Sequence, residues 1–232
     1  MNLQHRSYQE EFLDAYDIPF EDIRRNMQEL NFINTWLGGH SITIKGFKQI
    51  LGKRKEISVC EIGCGGGDNL VAIAKWCSKK NVRLHCIGID IKKECIEVAE
   101  ANKHLTEAAE WITSDYKYVM FKARPDIIFS SLFCHHFTDD ALVQQLKWMH
   151  TNSTVGFFIN DLQRHWLAYR SIKMLTSLFS SSYLVKNDAP LSVARGFTQK
   201  EWFNIFSKSS LHSFTVSWQW AFRFLICCTH DQ

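Results

Sequence analysis

The sequence predicts an α/β fold, in which a parallel sheet with helices on both faces ends in an antiparallel hairpin. From residue 57 onward, short apolar segments alternate with amphipathic segments, which is the pattern of βαβ crossovers. The last two strand-like segments, 214–218 and 221–228, are separated by too few residues for a crossover, so they must pair antiparallel. A length of 232 residues suits one large domain.

The composition is that of a folded soluble protein, with 46% hydrophobic and 22% charged residues. The formal net charge of +3 is too small to indicate nucleic-acid binding. Eight Trp and seventeen Phe exceed what a core of this size requires, and we expect some of them to line an apolar pocket.

Eight cysteines are present without any CxxC pair, so the spacing predicts neither a disulfide framework nor a metal site. The N-terminus is polar and acidic, unlike a signal peptide, and the longest apolar run, 224–228, is far shorter than the roughly 20 residues of a transmembrane helix. We therefore expect buried, reduced thiols in a cytoplasmic protein without a transmembrane segment.

The first fifty residues are predicted to form a helical extension, and residues 51–232 the α/β domain. Apolar residues recur at helical spacing until Gly38 and Gly39 break the pattern. These apolar residues are Leu13, Ile23, Met27, Leu30, Ile33, Trp36 and Leu37. We expect the extension to act as a lid, with Tyr8, Phe12, Asn34 and Gly38 closing over a cofactor bound at the sheet.

The central elements follow from their periodicity. Strands are predicted at 57–63, 83–90, 110–115, 125–133 and 153–161, each a short and mostly apolar run. Helices are predicted at 69–80, capped by Asp68, and at 92–105 and 139–150.

An insertion of about residues 162–197 follows the fifth strand. Residues 164–185 can form one or two apolar-faced helices, and 186–197 read as a loop. Such an insertion lies over the carboxyl ends of the strands, where open α/β sheets bind ligands. It would cover the substrate that accepts the transferred group. The alternative is a helix that only packs on the sheet edge. Thr198 and Glu201 then form a capping box that begins the helix before the hairpin.

A glycine-rich turn between the first strand and its helix indicates the cofactor. Gly63, Gly65 and Gly67 allow a ligand to approach bare backbone. The dinucleotide fingerprint requires a glycine where Asp68 stands, and a carboxylate there would repel a pyrophosphate. S-adenosylmethionine has no phosphate, and its positive amino and sulfonium groups are favoured by Glu61 and Asp68. The turn therefore predicts S-adenosylmethionine rather than NAD.

Acidic residues also end the second and third strands. Asp90 can accept hydrogen bonds from both ribose hydroxyls, with Ile91 on the adenine face. Asp115 can accept from the adenine amino group, with Tyr116 as a neighbour. Each carboxylate alone could be a helix cap or a solvated turn residue, but together they predict one site. Further residues expected at the cofactor are Cys64, Asn69, Ser114, Ser130, Ser131 and Leu132.

Several of these segments resemble a known family. EIGCGGGD, GIDIKKECIEVAEAN and TSDY resemble motifs of class I S-adenosylmethionine-dependent methyltransferases, and DIIFSSLFCHHFTDD resembles their ubiquinone/menaquinone-biosynthesis group. The resemblance covers about residues 57–161 and implies a Rossmann-like seven-stranded methyltransferase sheet with S-adenosylmethionine as cofactor. NFINTWLGGH, INDLQRHWLAYR and PLSVARGFT are similar to a bacterial subgroup found beside type III polyketide synthases. That likeness implies a polyketide-derived phenol, pyrone or lipid as acceptor, although the aromatics around Trp166 depart from the general pattern.

Methyl transfer from a sulfonium is an in-line displacement in which alignment can supply roughly 7–11 kcal/mol. A phenol or enol acceptor also needs a base, and His135 or His136, after the fourth strand, suits that role. The sequence does not choose between them. Candidates to bind an acceptor carboxylate or phenolate are Arg164, His165, Tyr169 and Arg195. Ordinary surface ion pairs are the alternative for the arginines.

Three functions other than small-molecule methyl transfer are compatible with parts of the sequence. A nicotinamide oxidoreductase conflicts with Asp68 and with the closing hairpin. A nucleic-acid methyltransferase has the same fold, but the fourth strand ends in Ser130 and Ser131 rather than an Asn/Asp-Pro-Pro motif, and no dense basic cluster is present. A non-catalytic cofactor-binding scaffold stays open, because methyl transfer can proceed without an essential side chain.

Overall fold

The computed structural model describes residues 2–15, 17–102, 105 and 109–230, and it contains one seven-stranded sheet. The strands are β1 Glu56–Ile62, β2 Arg83–Asp90, β3 Ala109–Thr113, β4 Ile127–Ser131, β5 Gly156–Leu162, β6 Phe214–Gln219 and β7 Arg223–Thr229. Their order is β3-β2-β1-β4-β5-β7-β6. The first five are parallel, and β7 runs antiparallel between β5 and β6. The predicted fold class is therefore confirmed.

Helices connect the strands and precede them. They are α1 Phe20–Trp36, α2 Gly39–Leu51, α3 Asp68–Lys80, α4 Lys93–Glu100, α5 Asp139–Asn152, α6 Trp166–Phe179, α7 Tyr183–Arg195 and α8 Gln199–Ser209. Asp68 is the first residue of α3 rather than its cap, and Gly67 takes the cap position in the left-handed conformation. The helix predicted at 92–105 ends at Glu100, and residues 103 and 104 of that prediction lie outside the described residues.

The loop predicted at 186–197 is wrong, because most of it belongs to α7. Pro190 lies inside this helix and removes one backbone donor, which is why the sequence suggested a loop. Burial outweighs that loss. The buried apolar residues of α7 are Leu184, Val185, Leu191, Val193 and Ala194.

Two apolar layers lie on opposite faces of the sheet. On one face, Trp202 and Phe206 of α8 pack in the same cluster as Phe157 of β5. On the other, Phe47 of α2 packs with Phe158 of β5. A Cβ on Gly46 would lie 2.6 Å from the Phe158 ring, so this glycine lets α2 approach the sheet closely. The end of the predicted N-terminal extension is thus part of a helical layer.

The cysteines and the helices agree with two expectations from the composition. All eight cysteines are buried, and none forms a disulfide. Within the described residues, no helix combines the length and the apolar character needed to cross a membrane.

Candidate active site

The glycine turn lies at the carboxyl end of β1, between β2 and β4. This is the switch point of the sheet, where open α/β folds bind ligands. Gly63, Gly65 and Gly67 have φ angles of +64°, +50° and +75°. A Cβ on Gly63 would lie 2.2 Å from the Phe133 ring, and one on Gly67 would lie 2.6 Å from Trp111. Both positions therefore require glycine for backbone and steric reasons.

Glu61 is buried beside this turn with one oxygen engaged. Its Oε1 accepts a hydrogen bond of 2.9 Å from Asn69 Nδ2, whereas its Oε2 has no partner among the described residues. Asn69 is fixed from α2, because Thr43 Oγ1 donates to its Oδ1 at 3.0 Å and His40 Nδ1 lies 3.1 Å away. Burial raises the pKa of Glu61 well above its usual range. A cationic ligand at Oε2 would stabilise the carboxylate.

Asp90 fixes the turn from the end of β2. Its Oδ2 accepts from Gly65 N and its Oδ1 from Lys92 N, both at 2.9 Å. Burial raises the pKa of Asp90 despite these bonds. Each oxygen can still accept a second hydrogen bond, as a ribose would require. Ile91 beside it is 68% exposed and can cover a planar group.

The residues after β3 separate into surface and core. Asp115 Oδ1 accepts from Lys117 N at 3.0 Å, and Ser114 Oγ donates to the carbonyl of Asp115. Tyr116 is buried, and its ring packs edge-on against Trp148 at 5.0 Å between centroids. Asp115 is thus partly exposed just after β3, whereas the Tyr116 ring belongs to the core.

The chain after β4 turns sharply next to the glycine turn. Leu132 has a φ of +54°, and its N–H donates to Asn160 O at 2.9 Å. Ser131 Oγ accepts from Asn160 Nδ2 at 3.1 Å, and Ser130 Oγ lies 3.4 Å from Cys134 Sγ. The Cys64 thiol is buried, and burial raises its pKa.

His135 is enclosed between two carboxylates. Its Nδ1 lies 2.7 Å from Asp161 Oδ1, and its Nε2 lies 3.6 Å from Glu11 Oε1. Burial by itself would lower the pKa of His135, but the charge and hydrogen bond of Asp161, with those of Glu11, raise it to about 9. His135 is therefore protonated at neutral pH.

His136 is the more accessible histidine, with 22% of its side chain exposed. Its Nδ1 lies 3.3 Å from Asp14 Oδ1, and its Nε2 lies 3.8 Å from Glu11 Oε2. The second distance is too long for a direct hydrogen bond between His136 Nε2 and Glu11.

Glu11, His135 and His136 also have the spacing of a metal site, since one ligand atom from each lies within 4.8 Å of the others. A cation already faces this group, because Arg195 Nη1 lies 3.8 Å from Glu11 Oε1. Glu11, His135, His136 and Arg195 thus form a network of charged groups. That the protein binds no metal stays a prediction.

The two arginines proposed for the acceptor have their donors engaged within the chain. Arg195 donates to the carbonyls of His135, His136 and Gln9 at 3.2, 3.1 and 2.9 Å. Arg164 pairs with Glu201 at 2.7 Å and donates to the carbonyl of Gly196. Both side chains are buried, so they are not the surface ion pairs of the alternative, and their role toward an acceptor stays a prediction.

His165 and Tyr169 contact different parts of the chain. His165 caps the helix by accepting from Leu167 N at 3.2 Å and stacks on Phe222, with 4.9 Å between ring centroids. Tyr169 lines a groove of about 200 Å³ between α6, α7 and the N-terminal segment. Trp166, at the start of α6, is 56% exposed.

The N-terminal helix covers the glycine turn through a residue that was not predicted. Met27 Sδ lies 3.2 Å from the position a Cβ on Gly65 would take. Of the predicted lid residues, Asn34 accepts from Arg223 and Gly38 joins α1 to α2. Tyr8 and Phe12 are 58% and 51% exposed.

Four site residues were missed by sequence reasoning: Glu11, Asn160, Asp161 and Arg223. Asp161 near the end of β5 carried the same signal as Asp90, and Arg223 is a charge inside an apolar strand. Glu11 gave no signal, because it lies far from the histidines in the sequence.

A protein-family model described as a methyltransferase domain matches residues 59–188, which is more than half of the chain. No curated protein sequence matches the chain.

Solved structures of low sequence identity share the fold. The plantazolicin methyltransferase BpumL in complex with SAH is 16% identical, with a TM-score of 0.65 over 92% of this chain and 89% of that one. The magnesium protoporphyrin IX methyltransferase ChlM from Synechocystis PCC 6803, with bound SAH, is 14% identical, with a TM-score of 0.52 over 94% and 90%. A SAM-dependent methyltransferase from Aquifex aeolicus is 16% identical, with a TM-score of 0.56 over 81% and 88%.

Proposed function

The chain belongs to the methyltransferase domain family, and on that premise we propose that it transfers a methyl group from S-adenosylmethionine to a small apolar or phenolic acceptor. The observation that carries the proposal is the glycine turn flanked by the unpartnered Glu61 Oε2 and by Asp90. A buried acceptor without a partner is costly, and the cofactor's ammonium group would satisfy it.

The residues around the turn fit the parts of this cofactor in order. Asp90 would accept from the ribose hydroxyls, and Ile91 would cover the adenine. Asp115 would accept from the adenine amino group. Phe133 and Met27, which pack on the turn, would move aside as the cofactor binds, in keeping with a lid formed by residues 1–50.

When bound, S-adenosylmethionine would supply the methyl group, and S-adenosylhomocysteine would be the leaving group. An acceptor hydroxyl that takes the methyl group on its oxygen would have to give its proton to a base. His136 is the better candidate for this base, because it is partly exposed, whereas His135 is enclosed and already protonated. His135 and Asp161 would position the neighbouring backbone.

A polyketide- or quinone-like acceptor is supported by the resemblance of the sequence and by the apolar surface of α6. This helix exposes Trp166, Leu167, Met174, Leu175, Leu178 and Phe179. BpumL and ChlM are named for plantazolicin and magnesium protoporphyrin IX, which are chemically dissimilar. The shared fold therefore does not indicate the acceptor. The insertion at 162–197, which contains α6 and α7, would cover the acceptor.

Calorimetric titration with S-adenosylhomocysteine, with NADH as the comparison, tests the cofactor. We expect micromolar binding of the first and none of the second. Asp90→Ala should weaken the first by about 1.5–3 kcal/mol, or roughly 10- to 150-fold, because two hydrogen bonds to the ribose are lost. Asp140→Ala, on the exposed side of α5, should bind as wild type does. An unchanged affinity in folded Asp90→Ala would refute this placement of the ribose.

Methyl transfer to a panel of phenolic acceptors tests His136. His136→Ala should lower kcat by about 10²- to 10⁴-fold while leaving the affinity for S-adenosylhomocysteine within a few-fold of wild type. His212→Ala, at an exposed histidine before β6, is the matched control. Full activity of His136→Ala would exclude the base role. Binding without transfer to any acceptor would favour the scaffold alternative.

A further inference from the structure

Arg223, the first residue of β7, is a buried charge with incomplete hydrogen bonding. It is 2% exposed, and its Nη2 donates to Asn34 Oδ1 at 2.9 Å. Its Nε and Nη1 have no hydrogen-bond partner among the residues that the structure describes. Burial lowers the pKa of Arg223 to about 10, so the group keeps its charge at neutral pH. Buried donors of this kind are rare in folded proteins and call for a partner.

The free side of the guanidinium faces the N-terminus of α2. A Cβ on Gly39 would lie 2.8 Å from Arg223 Nη1 and 3.2 Å from its Cζ, so only the absence of a side chain lets the charge sit there. In the described chain no side chain caps α2, which follows Gly38 in the left-handed conformation. The first amides of a helix have no intrahelical acceptor and attract anions. Two separate sets of donors thus meet at one place.

The negative charge next to Arg223 is committed elsewhere. Asp161, which raises the pKa of Arg223, accepts from Cys134 N and Leu162 N at 2.7 Å and holds His135 at the same distance. Its oxygens are therefore already occupied by other donors. An anion from outside the chain would complete the charge balance.

Unpartnered acceptors lie along the same network beneath α2. Asn160 Nδ2 donates to Gly39 O at 3.3 Å and to Thr43 Oγ1 at 3.5 Å, and Thr43 leads through Asn69 to Glu61. Within the part of the chain that the structure describes, Asn160 Oδ1 and Glu61 Oε2 have no partners. The buried donors of Arg223 and the buried acceptors of Asn160 and Glu61 are of the two kinds that the carboxylate and ammonium groups of a zwitterion require.

We propose that Arg223 and the N-terminus of α2 form a carboxylate-binding site for the amino-acid end of the S-adenosyl cofactor, an inference that rests on the proposed function. The carboxylate accepts hydrogen bonds from Nε, Nη1 and the first amides of α2. The ammonium group donates toward Glu61 Oε2 and Asn160 Oδ1. A carboxylate of the methyl acceptor is the second source of the same chemistry.

Titration of wild type and Arg223→Met with two nucleosides separates the carboxylate from the rest of the cofactor. S-adenosylhomocysteine carries the amino-acid end, and 5′-methylthioadenosine lacks it. Arg223→Met should bind the first about 10- to 100-fold more weakly and the second as wild type does. Arg83→Met, an exposed arginine at the opposite end of the sheet, should change neither. An equal loss for both nucleosides would overturn the proposal, because Arg223 would then support the site as a whole.

Gly39→Ala keeps the charge of Arg223 and tests the close approach of its guanidinium to α2. This variant also tests the proposal if Arg223→Met does not fold. The new methyl group would displace the guanidinium, and we expect about a three- to tenfold loss for S-adenosylhomocysteine only.

Salicylate, an aromatic carboxylate, tests the second source. If S-adenosylhomocysteine binds wild type and Arg223→Met equally, loss of salicylate binding in the variant assigns the site to the acceptor. If wild type binds no S-adenosylhomocysteine, the proposed function fails, and the salicylate comparison still decides whether an anion site exists. The inference is overturned if S-adenosylhomocysteine and salicylate each bind wild type and Arg223→Met equally. It is also overturned if salicylate does not bind wild type when S-adenosylhomocysteine binds both proteins equally or does not bind wild type.

Discussion

Carboxylates at the strand ends differ in how much of their hydrogen bonding the chain itself supplies. Asp90 is held by two backbone N–H groups, whereas Glu61 has one oxygen bound by Asn69 and one without a partner in the described structure. Asp161 is saturated by the His135 ring and three backbone amides. The less complete the internal bonding, the more a ligand can contribute, and we therefore propose Glu61 as the carboxylate that gains most from a bound cofactor.

Asp68 gives a pH dependence that can be measured without ligand. Burial raises the pKa of its carboxyl to about 6, above the value of about 3.9 in an unfolded chain. The folded state holds this proton more tightly, so the associated stability is present below pH 4 and is lost as the pH rises through 6. The positive end of α3 favours the charge and limits the loss.

Asp68→Asn should therefore gain up to about 2 kcal/mol of unfolding free energy relative to wild type between pH 4 and pH 7. Urea denaturation at both pH values measures the difference. Asp140→Asn, at an exposed carboxylate, should show none. A difference between Asp68→Asn and wild type that stays constant with pH would contradict the raised pKa.

Among the elements, α7 connects the insertion to the N-terminal segment. Asp188 Oδ1 accepts from Phe12 N at 2.8 Å, and its Oδ2 accepts from Leu13 N at 3.0 Å. Ser192 Oγ donates to Glu11 Oε1 at 2.8 Å. The helix thus fixes the segment that places Glu11 beside the histidines.

Asp188→Ala should release this segment. Two backbone amides would lose their acceptor, and we expect faster hydrogen exchange over residues 9–14 with a stability loss of about 1–3 kcal/mol. Exchange in β1 and β4 should not change. Lys186→Ala, exposed on the same helix, is the control. Unaltered exchange at Phe12 and Leu13 would show that other contacts hold the segment.

At the scale of the whole molecule, local patterns predicted most of the sheet. β1, β2 and the closing hairpin follow from runs of apolar residues, and the glycine turn follows from three glycines between a strand and a helix. These signals are contained in a few consecutive residues, which is why they can be read without a structure.

What the sequence could not predict depends on contacts between distant segments. Nothing near Glu11 indicates that it meets His135, and Pro190 suggested a loop where burial of neighbouring residues maintains α7. The arginines at 164 and 195 looked available to an acceptor because their carbonyl partners come from other parts of the chain. Contacts between residues that are distant in the sequence depend on the tertiary structure, and local propensity does not predict them.

The position of β7 between β5 and β6 has a consequence for how the protein is made. On the ribosome, β6 emerges before β7, the strand that it pairs with in the described structure, so it cannot join the sheet until β7 follows. Helix α2 can pack on Phe158 of β5 earlier, but Leu225 of β7 also lies against its Gly46 and joins that contact last. One of the first helices translated therefore completes its packing with the last strand, and the part of its apolar face that Leu225 covers stays exposed until then.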